Sequence, residues 1–204
     1  MNILFVCTGN TCRSPMAEAI LRAKRSGGEV KSAGIFAGKG EPMAENSRKV
    51  LDEVGLVLDH ETTPIGEEIL DWADLVLTMT DRHKQTLALQ YPTHQDKYYT
   101  LKEYVLIEDE QWEKLKKLYT NFEEKRSKIL RESMKDMEAE ELDRRLMQEL
   151  EDDIREIEEL ENKLPDINIS DPFGGSVNVY RQTRDELENH INLLVKKIDQ
   201  HNKE

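Results

Sequence analysis

The sequence predicts an α/β fold, a parallel sheet covered by helices on both faces. Short apolar runs at residues 2–6, 29–33, 74–79 and 98–101 alternate with stretches whose apolar residues recur at helical spacing. The first run, Ile3-Leu4-Phe5-Val6, passes through a short polar loop straight into a helical pattern. Between Pro92 and Pro165 neither glycine nor proline occurs, and that stretch reads as an insertion of charged helices.

The loop after the first run is Cys7-Thr8-Gly9-Asn10-Thr11-Cys12-Arg13-Ser14-Pro15. Pro15 suits a first helical turn, and the helix is expected to run to about Arg25, ended by Gly27-Gly28. A loop so placed gathers backbone N–H groups and has a helix N-terminus at its far end, which makes a cradle for a tetrahedral dianion. The same positive potential would hold Cys7 as a thiolate, and the planar fork of Arg13 can grip two phosphate oxygens. Cysteine is often a buried small hydrophobe. Cys-x5-Arg-Ser between a strand and a helix points instead to a nucleophile.

The next elements follow in order. Glu29–Ala33 is a short strand, and residues 35–41 form a glycine-rich loop. Helices are expected over Pro42–Val54, stopped by Gly55, over Glu67–Trp72 and over Asp81–Gln90. Asp74–Met79 is a buried strand and Tyr98–Leu101 a last short one, continued by strand-like Leu101–Tyr104. In sheets of this kind ligands bind beyond the carboxyl ends of the strands, where the Cys7 loop sits.

Residues 106–168 hold 21 acidic and 12 basic residues, most of the excess behind the chain's net charge of −13. Leu115, Leu118, Phe122 and Ile129 form one apolar seam, and Leu146, Leu150, Ile154, Ile157, Leu160 and Leu164 another. Two helices folded back as a hairpin, reversing at about Lys135–Leu142, would bury both seams together. Past Pro165, Asp171-Pro172-Phe173-Gly174-Gly175-Ser176 is a turn-rich loop, and Tyr180–Gln200 a final amphipathic helix.

Net charge −13 argues against nucleic acid and anionic membranes as partners. No run reaches transmembrane length, and the first residues lack the basic start of a signal peptide. The only cysteines, Cys7 and Cys12, share one loop and form no disulfide framework, so a reducing cytoplasmic location is expected. The five histidines, His60, His83, His94, His190 and His201, show no metal-ligand spacing and read as solvated or structural residues.

Cleavage of a phosphate monoester or phosphoramidate by Cys7 also requires a proton for the leaving group. Asp171 is the candidate acid. Its position before a proline reads equally as a plain turn aspartate.

These residues resemble the low-molecular-weight protein tyrosine phosphatase family. The match covers most of residues 1–105 and 169–200 and rests on Cys7 to Glu18, Ser32-Ala33-Gly34, Ala73 to Leu77 and Asp171-Pro172-Phe173-Gly174. The resemblance implies a four-stranded parallel sheet, Cys7 as nucleophile, Arg13 as phosphate clamp and Asp171 as general acid. It implies phosphate binding by Thr8, Gly9, Asn10, Thr11, Cys12, Arg13 and Ser14, with Asn10 and Ser14 holding the loop. No metal or organic cofactor is expected. Within the family the chain is most similar to bacterial protein arginine phosphatases. Thr11 stands where tyrosine-specific members usually carry an aliphatic residue, and the loop around Phe173 lacks their further aromatic near position 174. Thr11 and Phe173 are therefore the expected specificity residues, and phosphorylated proteins the expected substrates.

Cys12 reads equally as a small loop residue or as a thiol that traps oxidised Cys7, as in tyrosine-specific members. The alternative activities are protein tyrosine phosphatase and, ranked lower, arsenate reductase, which needs downstream cysteines that are absent here, or a non-catalytic scaffold. The expected division is a phosphatase domain, 1–105 with 169–204, carrying the hairpin 106–168. The hairpin offers a surface for a protein partner or for self-association, or is simply a solvated insertion.

Overall fold

The computed structural model describes residues 1–25, 27–133 and 138–201. Four parallel strands, β1 (Ile3–Cys7), β2 (Val30–Gly34), β3 (Leu75–Thr78) and β4 (Tyr98–Thr100), form one sheet in the order β2-β1-β3-β4. Every residue of β1 is buried, as its unbroken apolar run requires of a strand covered on both faces. The period of two sends Ile3, Phe5 and Cys7 to one face and Leu4 and Val6 to the other.

On the Cys7 face lie α1 (Arg13–Lys24), α2 (Glu45–Asp52) and α8 (Val177–His201), which bury Met16, Ile20, Leu51, Leu187, Ile191 and Leu194 against the sheet. On the other face α3 (Glu67–Trp72) and α4 (Asp81–Gln90) contribute Leu70 and Leu87. The helix that follows β1 and the helix that follows β3 thus cover opposite faces. The adjacent carboxyl ends of these two strands form the switch point at which such sheets bind ligands.

Two expectations about local structure need correction. Leu101–Tyr104 is not strand-like, because α5 spans Leu101–Leu106. The reason is a reciprocal cap: Glu103 N donates to Thr100 Oγ1, and Thr100 N donates to Glu103 Oε2, both at 3.0 Å. The helix expected from Pro42 starts only at Glu45, since Pro42 pairs with Glu61 and Ala44 N donates to Thr11 O. A 3-10 turn at Pro92–Lys97 leads into β4.

The chain divides into two compact units. Met1–Leu106 with the chain from Ile167 onward forms the first, and Ile107–Asp166 the second. Within the second, α6 (Asp109–Ser133) and α7 (Ala139–Glu161) run antiparallel, bridged by Lys125–Asp153 at 2.6 Å and Arg145–Glu132 at 3.4 Å. Leu115, Ile129, Leu150 and Ile157 are the buried seam, while Ile154 faces outward. Of the expected reversal, residues 135–137 lie outside the described residues, and Glu138 is the N-cap of α7.

Candidate active site

Cys7 is the last residue of β1, with only 3% of its surface exposed. The loop that follows turns back on itself at Asn10, the one non-glycine with positive φ (56°) among the described residues. Asparagine tolerates that left-handed backbone better than most residues. The turn aims Asn10 N–H at Cys7 Sγ, 3.3 Å away.

The Asn10 side chain is fully buried and fully used. Its Oδ1 accepts from Thr63 N at 2.8 Å, so Nδ2 faces Ser14 Oγ and Ser32 Oγ, both at 2.9 Å. Ser14 accepts that bond, and its hydroxyl lies 3.0 Å from Cys7 Sγ and 3.4 Å from Ala33 O, to which it can donate. The Asn10 N–H and the Ser14 hydroxyl both contact the sulfur, polar partners that can solvate an anion. Ser32 donates onward to the buried Glu18 at 2.5 Å, and Arg22 closes the chain on the other Glu18 oxygen at 2.6 Å. His60 Nε2 sits 2.8 Å from Asn10 O. Glu18, Ser32 and His60 were not singled out from the sequence as site residues, and only the register of β2 beside β1 brings Ser32 under the loop.

Two further bonds tie the loop to the start of the β2–α2 connection: Ile35 N to Cys7 O at 3.0 Å and Phe36 N to Thr8 O at 2.8 Å. Gly34 makes room for this approach. A Cβ there would lie 2.8 Å from Asn10 N, from Thr8 O and from the Ala37 Cβ. Phe36, also unassigned from sequence, leaves its ring 72% exposed.

Arg13 opens α1, a helix with no side-chain cap and no acidic residue in its first turn. Its guanidinium is buried and reaches across the fold. Nη2 donates to Asp171 Oδ2 at 2.9 Å, and Nη1 to Ile169 O at 3.4 Å, joining residues 158 positions apart. The Asp171 loop is fixed to the sheet by Ile169 N donating to Met79 O at 2.8 Å, just past β3. Asp171 Oδ1 accepts from Phe173 N at 3.2 Å, and Gly175 N donates to Pro172 O at 2.9 Å. Gly174 takes the positive φ (75°) of that turn. Asp171 is half-exposed and the Phe173 ring is 79% exposed.

Thr11 is half-buried, with its carbonyl bonded to Ala44 N and its hydroxyl 3.5 Å from Cys12 Sγ. Cys12 is buried at the N-cap of α1, 3.4 Å from the Tyr180 hydroxyl. Burial and that contact push the Tyr180 phenol above its ordinary range, so it stays protonated. Both cysteines are free thiols. His83, in α4, is buried beside the loop between two threonine hydroxyls. Burial, and then the charge of Arg13, lower its pKa to about 4.

Among the described residues no group of three or more His, Cys, Asp or Glu could hold a metal ion, and no helix is long and apolar enough to cross a membrane. A cavity of about 650 Å³ between α1, β2 and α3 reaches Glu18, Ser32 and His60 from behind the loop and does not include Cys7, Arg13 or Asp171.

Known proteins resemble this chain in sequence and in fold. A protein-arginine-phosphatase of Bacillus subtilis is 34% identical over 202 residues, with 97% of each chain covered. The solved YwlE arginine phosphatase from Geobacillus stearothermophilus matches with a TM-score of 0.68 and 34% identity, covering 98% of this chain and 94% of that one. A mutant of the YwlE arginine phosphatase with a phosphorylated active site serine matches at a TM-score of 0.66 and 34% identity, covering 98% of this chain and 96% of that one. The family model for low molecular weight phosphotyrosine protein phosphatase matches residues 2–153, which include the whole Cys7 loop and stop short of Asp171. With its parallel four-stranded sheet and that match over most of its length, the chain belongs to the low molecular weight phosphotyrosine protein phosphatase family.

Proposed function

We propose that this protein hydrolyses phosphoarginine in proteins through a phosphate ester of Cys7. The observation that supports this reading is the 2.9 Å contact between Arg13 and Asp171, the residues that the reading makes the phosphate clamp and the proton donor. Cys7 Sγ attacks phosphorus in line while the loop N–H groups of residues 8–14 and the Arg13 fork hold the equatorial oxygens. As the S–P bond forms the P–N bond breaks, and Asp171 gives its proton to the departing guanidino nitrogen. Asp171 then takes a proton from water, whose oxygen displaces the Cys7 thiolate and releases phosphate. No metal or organic cofactor enters this scheme.

Three features support arginine over tyrosine. Thr11 places a hydroxyl rather than an aliphatic side chain in the loop. Phe173 is the one aromatic in the loop carrying Asp171. Several relatives similar over almost the whole chain are named arginine phosphatases, although others of 33% identity and like coverage are named protein tyrosine phosphatases. The second reading is a phosphotyrosine phosphatase, after which the family is named. Comparing kcat/KM on phosphoarginine and phosphotyrosine for the native chain and for Thr11→Ile tests the choice. The native chain is expected to prefer phosphoarginine and the variant to move towards phosphotyrosine, and an unchanged ratio refutes the role of Thr11.

In this reading residues 1–105 with 169–204 are the phosphatase domain, working in a reducing, cytoplasmic setting on phosphorylated proteins. The net charge of −13 disfavours nucleic acid and anionic membranes as partners. Residues 106–168 serve contact with a protein partner or a second copy, or are simply a solvated insertion, rather than taking part in the chemistry.

A further inference from the structure

The mechanism above leaves His83 without a task, yet this imidazole is 8% exposed and both of its nitrogens are committed. Nδ1 lies 2.9 Å from Thr80 Oγ1, and Nε2 lies 2.8 Å from Thr8 Oγ1. Thr80 is the N-cap of α4, and its oxygen already accepts from His83 N at 3.3 Å. Its hydroxyl still holds a proton that Nδ1 can accept, and in that tautomer Nε2–H donates to Thr8 Oγ1.

We propose that His83 is a positioning residue for the phosphate loop, an uncharged strut that joins Thr8, the residue after the nucleophile, to Thr80 at the end of β3. The inference rests on the reading of Cys7–Ser14 as the phosphate loop. The loop needs such a support on this side. Asn10, Ser14, Ser32, Ile35 and Phe36 hold it from the β2 and α1 side, whereas the bond to His83 holds it towards β3 and α4. Gly9, next to Thr8, has only the Thr11 hydroxyl within reach of where a Cβ would be and contributes no side-chain anchor. Thr8 is thus gripped at its carbonyl from one flank and at its hydroxyl from the other, and its N–H is set for the phosphate. The strut has to be neutral. The charged groups acting on it are Arg13 from α1, Arg82 from α4 and Asp171 from the acid loop, and an imidazolium would set a second cation beside the Arg13 clamp.

The test is a double-mutant cycle read on para-nitrophenyl phosphate, with inorganic phosphate as competitive inhibitor, so that substrate preference does not enter. Thr8→Val and His83→Ala should each lower kcat about tenfold and weaken phosphate inhibition, and the double variant should be no worse than either. His83→Gln, which returns an amide donor to the position of Nε2, should recover most of the loss. Losses that multiply in the double variant, a Thr8→Val enzyme with native kcat, or a His83→Gln enzyme as poor as His83→Ala would each overturn the strut. Should His83→Ala not fold, His83→Leu, which keeps the bulk and lacks a donor, takes its place in the cycle. Cys7→Ser in the same assay sets the floor. Persistent turnover there removes the phosphatase reading itself, whereas native turnover with multiplying losses removes only the strut.

Discussion

At the scale of single residues, the loop is held by groups whose loss should be measurable one at a time. Asn10 combines a left-handed backbone with three side-chain hydrogen bonds, two of them buried. Asn10→Gly keeps the backbone and loses the bonds, while Asn10→Ala loses both. Urea denaturation should find Asn10→Gly destabilised by about 2 kcal/mol and Asn10→Ala by about 1 kcal/mol more. Equal values would show that the backbone is not strained for alanine. His83 gives a pH dependence. Its folded pKa of about 4 lies below the ordinary 6.5, so the native state binds fewer protons there than the unfolded chain. Its contribution is complete above pH 6.5 and is lost as pH falls towards 4, about 3 kcal/mol at most. Replacing it with glutamine should flatten the fall in Tm over that window. An identical slope would show that His83 does not titrate as described.

At the scale of elements, Gly34 fixes how closely the end of β2 can approach the loop. Gly34→Ala should displace Asn10 N and Thr8 O and cost about 1–3 kcal/mol of stability, with kcat falling in parallel. Unfolding and turnover assays on one preparation check both. This scale also explains what could be read in the sequence. The Cys7–Ser14 loop was legible because its members are consecutive, and a strand running into a helix leaves them few conformations. Asp171 rested on resemblance, since no local pattern relates it to Arg13 across 158 positions; the link is made by Ile169 pairing with Met79 beyond β3. Glu18 and Ser32 were legible only as members of the segments that carry the resemblance, and His60 and His83 carried no local signal, because the partners of all four are chosen by strand register and helix packing. Leu101–Tyr104 is a different kind of miss. The Thr100-x-x-Glu103 capping pattern was present in the sequence, and the β-prone Tyr98-Tyr99 before it masked it.

At the scale of the whole molecule, the charge and the chemistry reside in different parts of the sequence. Residues 106–168 carry 21 acidic and 12 basic residues, whereas both cysteines lie in the first thirteen positions. The first unit has its own cores on both faces of the sheet, and the second buries a seam between α6 and α7. Replacing 107–166 with a short linker should leave a folded enzyme with the kcat/KM of the full chain on a small aryl phosphate, since closing that connection costs little. Loss of activity with retained circular dichroism would give the hairpin a part in catalysis. The exposed charges of α6 and α7 add little to stability individually, so high salt should shift the Tm of the hairpin only slightly.

Transfer of phosphate from arginine to Cys7 Sγ is the step on which the proposed chemistry depends, and the covalent enzyme can be sought directly. The chain is mixed with a protein phosphorylated on arginine, quenched within a turnover, and its peptides are mapped for phosphate by mass spectrometry. Phosphate is expected on Cys7, formed faster than from a phosphotyrosine protein, with no turnover by Cys7→Ser. Hydrolysis of phosphoarginine that proceeds without phosphate on Cys7, or that survives Cys7→Ser, would contradict the proposed chemistry.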